Sequence, residues 1–366
     1  MLRKCFESLT DSRQQTKVKH NLLEIVIMTV CAVVTGCKFW NQIEDFCKVK
    51  QQWFRDKLKL ELLNGVPSHD TFQRIFAVIN PKEFEKNFVT WVRTICSLHK
   101  DEFVNIDGKT VRGSRKADDS AIHLVSAWAN KNQLVLGQAK VSDKSNEITA
   151  IPYLLDLLDV KNCIITIDAM GCQKAIAAKI CEKQAGYVLA LKDNQKALRD
   201  DVETYFQGIP YKNKPLLKTE TQDKNHGRIE HREYFLTTDI DWICVKEDWQ
   251  NLKAIGMVKS RTWRKDKWVT ETRYYITSLE DIETFSKAVR SHWGVENSLH
   301  WCLDVVFDED DCRSRKGNTA ENFAIIRKIV MNLVRKCPTE KPMSFQLKWL
   351  KCGYDCDWVA DVLLSA

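Results

Sequence analysis

Between residues 103 and 191 the chain alternates strand-length apolar runs with helical ones, and their order restricts the fold more than any other feature. FVNID, IHLVSAWAN and QLVLGQAKV come first, the last two parted by a short Asn-Lys-Asn turn. A helical pattern then begins near Glu147 and takes in IPYLLDLL, followed by the strand CIITID, the helix QKAIAAKICEKQ and the strand YVLALK. The sequence β-β-β-α-β-α-β places an antiparallel hairpin unit ahead of βαβ crossovers. Such an order predicts a mixed sheet with helices on its faces.

Two of these strands end in the same way. FVNID runs into Asp107 and Gly108, and CIITID into Asp168, with Ala169 and Gly171 just after it. One aspartate before a glycine is an ordinary exit from a strand into a turn. If the two strands are parallel neighbours, however, both carboxylates emerge at one carboxyl edge, where open α/β sheets bind their ligands. Carboxylates that close together both ionise only with positive charge between them, and an all-oxygen donor set favours Mg²⁺ or Mn²⁺. A third acid is sought on the helix RSHWGVENSLHW, where Val295, Leu299, Cys302, Leu303 and Val306 mark the buried stripe. Glu296 lies at the edge of that stripe, with His292 and His300 one turn away on either side. Its rivals, Asp304 and the run Asp308 to Asp311, read as a solvated acidic turn. Each acid alone is more ordinary as a turn former or a solvated side chain; in combination they point to a two-metal phosphoryl-transfer site.

The flanks are of different character. Residues 1 to about 95 read as all-helical, with a buried helix in NLLEIVIMTVCAVVTGC, one amphipathic helix in NQIEDFCKVKQQWFRDKL, and further helices after Ser68 and Pro81. The buried segment carries Glu24 and is shorter than the roughly 20 residues a membrane span needs, so no membrane role is expected. Over residues 1–100 there are 16 Lys and Arg against 10 Asp and Glu, which suits either a helix-turn-helix-like DNA reader or a helical scaffold with solvated faces. Residues 215 to about 278 read as β-strands inserted into the α/β rhythm. Helices return from 281, the last beginning at Asn318 with Glu321 in capping-box spacing. A net charge of +7 is compatible with a polyanionic partner. The 14 cysteines are scattered with no Cys-x-x-Cys, as expected of reduced thiols in a cytoplasmic protein.

Several long motifs in order give the chain a specific resemblance. VPSHDTFQRIF, NIDGKTVRGS, KSNEITAIPYLL, TIDAMGCQ, LALKDNQ, HGRIEHR, YYITSL and the block from RSHWGVENSLHW to NTAENFAIIRK cover nearly the whole sequence. They resemble the bacterial DDE transposases of insertion sequences, in particular the H-repeat-associated group linked to Rhs elements. The resemblance implies an α/β (α+β) fold: a ribonuclease-H-like mixed sheet flanked by helices, with a β-rich insertion and an N-terminal all-helical domain. It divides the chain into a helical DNA-binding domain over 1–98, a catalytic domain over 99–336 with its insertion at about 213–279, and a tail over 337–366.

Asp107 and Asp168 fall on the family's two aspartates, and Glu296, in GVEN, on its glutamate. The implied activity is cleavage and strand transfer at the ends of the protein's own element, with two Mg²⁺ (or Mn²⁺) ions held by these three residues. Double-stranded DNA is the implied partner, a homodimer the implied assembly on it, and the bacterial cytoplasm, in association with the nucleoid, the implied location. Where the wider group has a Tyr, an Arg and a Lys around the glutamate, this chain has Val289, His292 and Leu303, with Arg290 and Lys192 as candidate replacements. Candidate DNA contacts are Lys109, Arg112, Arg115, Lys192, His226, Arg228, Arg290, His292, Arg313, Arg315 and Lys316, with Trp263 and Trp268 as a base-stacking pair. The competing readings are a silent DNA-binding relative and a metal-dependent nuclease without strand transfer.

Overall fold

In a computed structural model, which describes residues 1–364 apart from 116–119, 143–145, 209–214, 226–227 and 265–266, the predicted strand and helix order is realised. The N-terminal helices are α1 (Leu2–Phe6), α2 (Leu22–Val34), α3 (Trp40–Val49), α4 (Gln51–Leu58), α5 (His69–Val78) and α6 (Pro81–Ile95). The next elements are β1 (Phe103–Thr110), β2 (His123–Ala129), β3 (Leu134–Lys140), α7 (Glu147–Leu157), β4 (Ile164–Ile167), α8 (Lys174–Glu182) and β5 (Gly186–Leu191). An unanticipated α9 (Lys196–Gln207) leads into β6 (Leu217–Asn225), β7 (Arg228–Thr237), β8 (Ala254–Arg264) and β9 (Lys267–Thr277). The chain closes with α10 (Ile282–Gly294), a π-helical segment Val295–His300, α11 (Trp301–Val305), α12 (Thr319–Lys336), α13 (Phe345–Tyr354) and α14 (Cys356–Leu364).

The strands form one nine-stranded sheet in the order β3-β2-β1-β4-β5-β9-β8-β7-β6. β1, β4 and β5 are parallel, and all other pairs are antiparallel. The insertion is therefore an extension of the catalytic sheet, joined through β5 and β9, and not a small separate unit. Alternation along β1 sorts the two faces. Val104 and Ile106 point into a core shared with α7 and α8, whereas Phe103, with Ile164 and Val188, packs against Phe285, Ala288 and Val289 of α10. On that second face the Phe285 ring lies directly on Gly256 of β8, where any Cβ would collide with it.

Local departures from expectation have local causes. The single helix expected over 41–58 breaks at Lys50. Unbroken, it would separate Phe46 from Phe54 by about 12 Å of helical rise; the break brings their rings to 6.1 Å, edge to face. Asn318 makes no capping bond to its own helix, and its Nδ2 donates instead to the Ile79 carbonyl (3.1 Å). Together with Asn322, which donates to the carbonyls of Phe76 and Ile79, it ties α12 to the end of α5. No helix among the described residues is long and apolar enough to cross a membrane.

Candidate active site

The register of β1 on β4 pairs Asn105 with Thr166 and Ile106 with Ile167, so Asp107 and Asp168 follow on adjacent parallel strands at the carboxyl edge. Both belong to the α10 face, two positions beyond Asn105 and Thr166. Below them a buried polar ladder fixes the helix to the sheet: Asn105 Nδ2 donates to Thr166 Oγ1 (2.7 Å) and to Ser291 Oγ (3.1 Å), and Thr166 Oγ1 lies 2.9 Å from His292 Nδ1. α10 would carry Glu296 onward as an α-helix, but the backbone widens to π geometry from Val295 to His300. The wider turn leaves Val295 and Leu299 buried while Glu296 stays exposed at the sheet edge. Short π segments of this kind recur at functional sites.

Electrostatics link the three acids. Burial pushes the Asp107 carboxyl up to about 7, and the charges of Asp168, Glu147 and Glu296 add to this against the Gly108 N–H. Asp168 is raised by burial and then by Glu147, with its own backbone contacts and Lys192 pulling the other way. Partial desolvation at the sheet edge raises the Glu296 carboxyl, with Arg273 opposing and Asp168 adding. Asp168 Oδ1 caps the next turn by accepting from the Met170 and Gly171 N–H groups (3.1 and 3.4 Å), which leaves Oδ2 for a ligand. The Glu296 carboxylate makes no hydrogen bond or ion pair among the described residues. The donor set is thus all oxygen and suits a hard divalent ion, although no three metal-ligating side chains among the described residues are gathered into a formed cage.

The flanking histidines are inside the site, not on its surface. Burial lowers both His292 and His300 to about 4, so both rings are neutral near pH 7. His300 Nδ1 stands 3.6 Å from Asp107 Oδ2. His292 is held through Nδ1 by Thr166. Arg290 pairs with Asp223 (3.2 Å), and its side chain is 41% exposed. Lys192 is near Asp168.

Lys109 is likewise committed, with its ammonium on Asp304 (2.7 Å), Asp310 (3.1 Å) and Glu309 (3.2 Å). The acidic turn is solvated only in part: Glu309 is 1% exposed and also pairs with Arg327, whereas Asp304 and Asp311 are exposed. Arg112, Arg115, Arg313, Arg315 and Lys316 are exposed, and the fold brings their two segments together. The Arg315 Nε donates to the Gly113 carbonyl (2.9 Å), and the Arg112 N–H donates to Asp310 (3.1 Å). Trp263 and Trp268 face each other across the end of the β8–β9 hairpin, ring centroids 5.5 Å apart. His226 lies outside the described residues, and Arg228 opens β7 opposite Asn225.

Two residues near the acids were missed from sequence. Arg273, on β9, lies in a groove of about 840 Å³ between the inserted strands and α10, its guanidinium 5.0 Å from the Trp293 ring. From there it acts on Glu296 and His292, putting a positive charge near the glutamate from a different element. The absence of an arginine at position 292 was the available clue. Glu147, first residue of α7, acts on both aspartates.

A nine-stranded mixed sheet with parallel β1, β4 and β5, and acids at their carboxyl edge, defines a ribonuclease-H-like protein. Family models agree with the fold: the Transposase DDE domain matches residues 98–333, and its associated N-terminal model, DDE_Tnp_1-associated, matches residues 3–92. The chain belongs to the DDE insertion-sequence transposases. It is 42% identical over 364 residues to "Putative transposase YncI" of Escherichia coli O157:H7, covering 98% of this chain and 93% of that one. It is also 39% identical over 377 residues to "H repeat-associated putative transposase YhhI" of Escherichia coli K12, covering 100% and 99% of the two chains.

Proposed function

We propose that the protein cuts DNA at the ends of its own insertion element and transfers the freed strand to target DNA, using Asp107, Asp168 and Glu296 with two Mg²⁺ or Mn²⁺ ions. The parallel register of β1 on β4 carries this reading, because it sets two aspartates side by side at the sheet edge that Glu296 overhangs. When bound, the ions supply the charge that stabilises the attacking and leaving oxygens of the phosphodiester. Asp107 and Asp168 are aimed by their strands and Glu296 by the π turn. The ladder through Asn105, Thr166 and His292 keeps the helix from rotating away. Arg273 and Lys192 offer positive charge on either side of the acids, and neutral His292 and His300 keep the floor of the site from competing with bound cations. Water attacks first and the DNA 3′-OH second, so no protein side chain becomes linked to DNA.

The basic patch of Arg112, Arg115, Arg313 and Arg315 begins five residues past Asp107 on the same chain, about 16 Å along an extended strand. It is suited to phosphate contacts flanking the cut. The helices of residues 1–98 are assigned to the element ends, and two copies of the chain to holding two ends together.

Incubating the protein with a labelled element end and Mg²⁺ tests the reading. Nicked and then joined products are expected, and Asp107→Asn should lower both by at least about a thousandfold. Intact cleavage by Asp107→Asn would overturn the site. Binding without nicking would indicate a silent DNA-binding protein, and nicking without joining a nuclease.

A further inference from the structure

We propose that Glu147 is a fourth carboxylate of the acid site, binding a divalent cation together with Asp107 and Asp168, and that His123 positions it. The inference rests on the metal-dependent reading above and extends it to the motif KSNEITAIPYLL, which that reading leaves without a role.

The first observation concerns Gly108. Asp-Gly reads in sequence as a strand exit, yet Gly108 lies inside β1, paired with Val125, and the strand continues to Thr110. Nor does it have a positive φ, so no left-handed backbone requires glycine here. What requires it is space. A Cβ at this position would collide with Glu147 Oε1 and with His123 Nε2. Gly108 follows Val104 and Ile106 in alternation onto the α7 face, whereas Asp107 is on the α10 face. Glu147 therefore comes from the far side of the sheet and closes over the backbone immediately beside Asp107.

The second observation is how Glu147 is held. Its Oε1 is 2.6 Å from His123 Nε2, and His123 Nδ1 is 2.9 Å from Thr110 Oγ1. With Thr110 donating its hydroxyl hydrogen to Nδ1, the ring carries its proton on Nε2 and donates it to Glu147. A carboxylate fixed through one oxygen by a histidine that is itself fixed leaves its other oxygen for a ligand. The Glu147 charge also weighs on Asp168 more than any other charge does, and on Asp107 ahead of Glu296. An acid in the first turn of a helix is ordinary. One that is mostly buried, needs a glycine beneath it and acts electrostatically on two more carboxylates across the strand is not explained by helix polarity.

The test is Mn²⁺ binding by the full chain without DNA, read from the electron paramagnetic resonance signal of free Mn²⁺. Glu147→Gln, nearly isosteric, is expected to weaken binding by about tenfold or more, and His123→Gln by a smaller factor. Should Glu147→Gln melt below the assay temperature, Glu147→Asp is read instead; it keeps the charge at the helix start but falls short of the site, and the same loss is expected. Unchanged Mn²⁺ affinity in the Glu147 variant, with affinity lost in Asp107→Asn, overturns this proposal and leaves the acid site standing. Unchanged affinity in Asp107→Asn as well overturns both.

Discussion

Lys109 joins the strand that bears Asp107 to the segment that follows Glu296. Burial opposes its charge, but Glu309, Asp304 and Asp310 outweigh that and raise its pKa. Only 11% of its side chain is exposed, so these ion pairs form with little competition from water. Replacing it by methionine would leave Glu309 buried with Arg327 as its remaining close ion-pair partner; a loss of about 3 kcal/mol is expected in urea unfolding, as for other broken buried pairs. Glu85 of α6 gives a pH dependence away from the site. Burial, then the charge of Glu321, pushes it up to about 8. The folded protein thus holds a proton that the unfolded chain releases between roughly pH 4.5 and pH 8. Its contribution to stability is fully present below that window and falls as pH rises through it. Glu85→Gln should flatten the fall, so that the variant melts above the wild type at pH 8.5 and close to it at pH 5.

At the scale of elements, the inserted strands and the π segment do what no single residue does. β9 is buried over Tyr274–Thr277, where it meets β5, and exposed over Lys267–Thr272, where it continues past β5 as an arm of the sheet beside β8 and β7. Trp268 stands on that arm with 52% of its surface exposed. Its removal should therefore cost no stability. Trp268→Ala is expected to leave the melting temperature unchanged and to weaken binding of an element end by about 1–3 kcal/mol in fluorescence anisotropy. A loss of melting temperature with unchanged DNA affinity would make the tryptophan pair a structural clasp. Nearer β5 the same strand carries Arg273, whose charge acts on Glu296, so the insertion contributes to the candidate site as well as to the sheet.

At the scale of the molecule, one buried cluster runs from the N-terminal helices through the sheet to the C-terminal helices. α12 is its axis: Phe323, Ile326 and Val330 are buried there, and Asn332 exchanges hydrogen bonds with the Val135 backbone of edge strand β3 (2.9 and 2.8 Å). Removing residues 1–98 would uncover an apolar helix face along its length. The remaining chain is expected to lose its near-ultraviolet circular dichroism and to bind a hydrophobic dye, while keeping much of its far-ultraviolet signal.

Sequence alone determined most of the strand and helix order and picked out Asp107, Asp168 and Glu296, because each is written in local periodicity or in a motif several residues long; that β1 runs on past Asp107 to Thr110 only the fold decided. It could not decide which charged side chains were free. Lys109, Arg290 and His292 carry no partner that their own segments reveal; the fold supplied Glu309, Asp223 and Thr166 from distant parts of the chain. The same holds for Glu147 and Arg273, ordinary in their own segments and significant only beside the acids. Gly108 marks the boundary between the two kinds of knowledge. Its neighbour Asp107 could be picked out from the pattern, but the reason for the glycine is a carboxylate 39 residues further on, arriving over the sheet edge. Local pattern fixes what a segment becomes; long-range packing fixes what each charge meets.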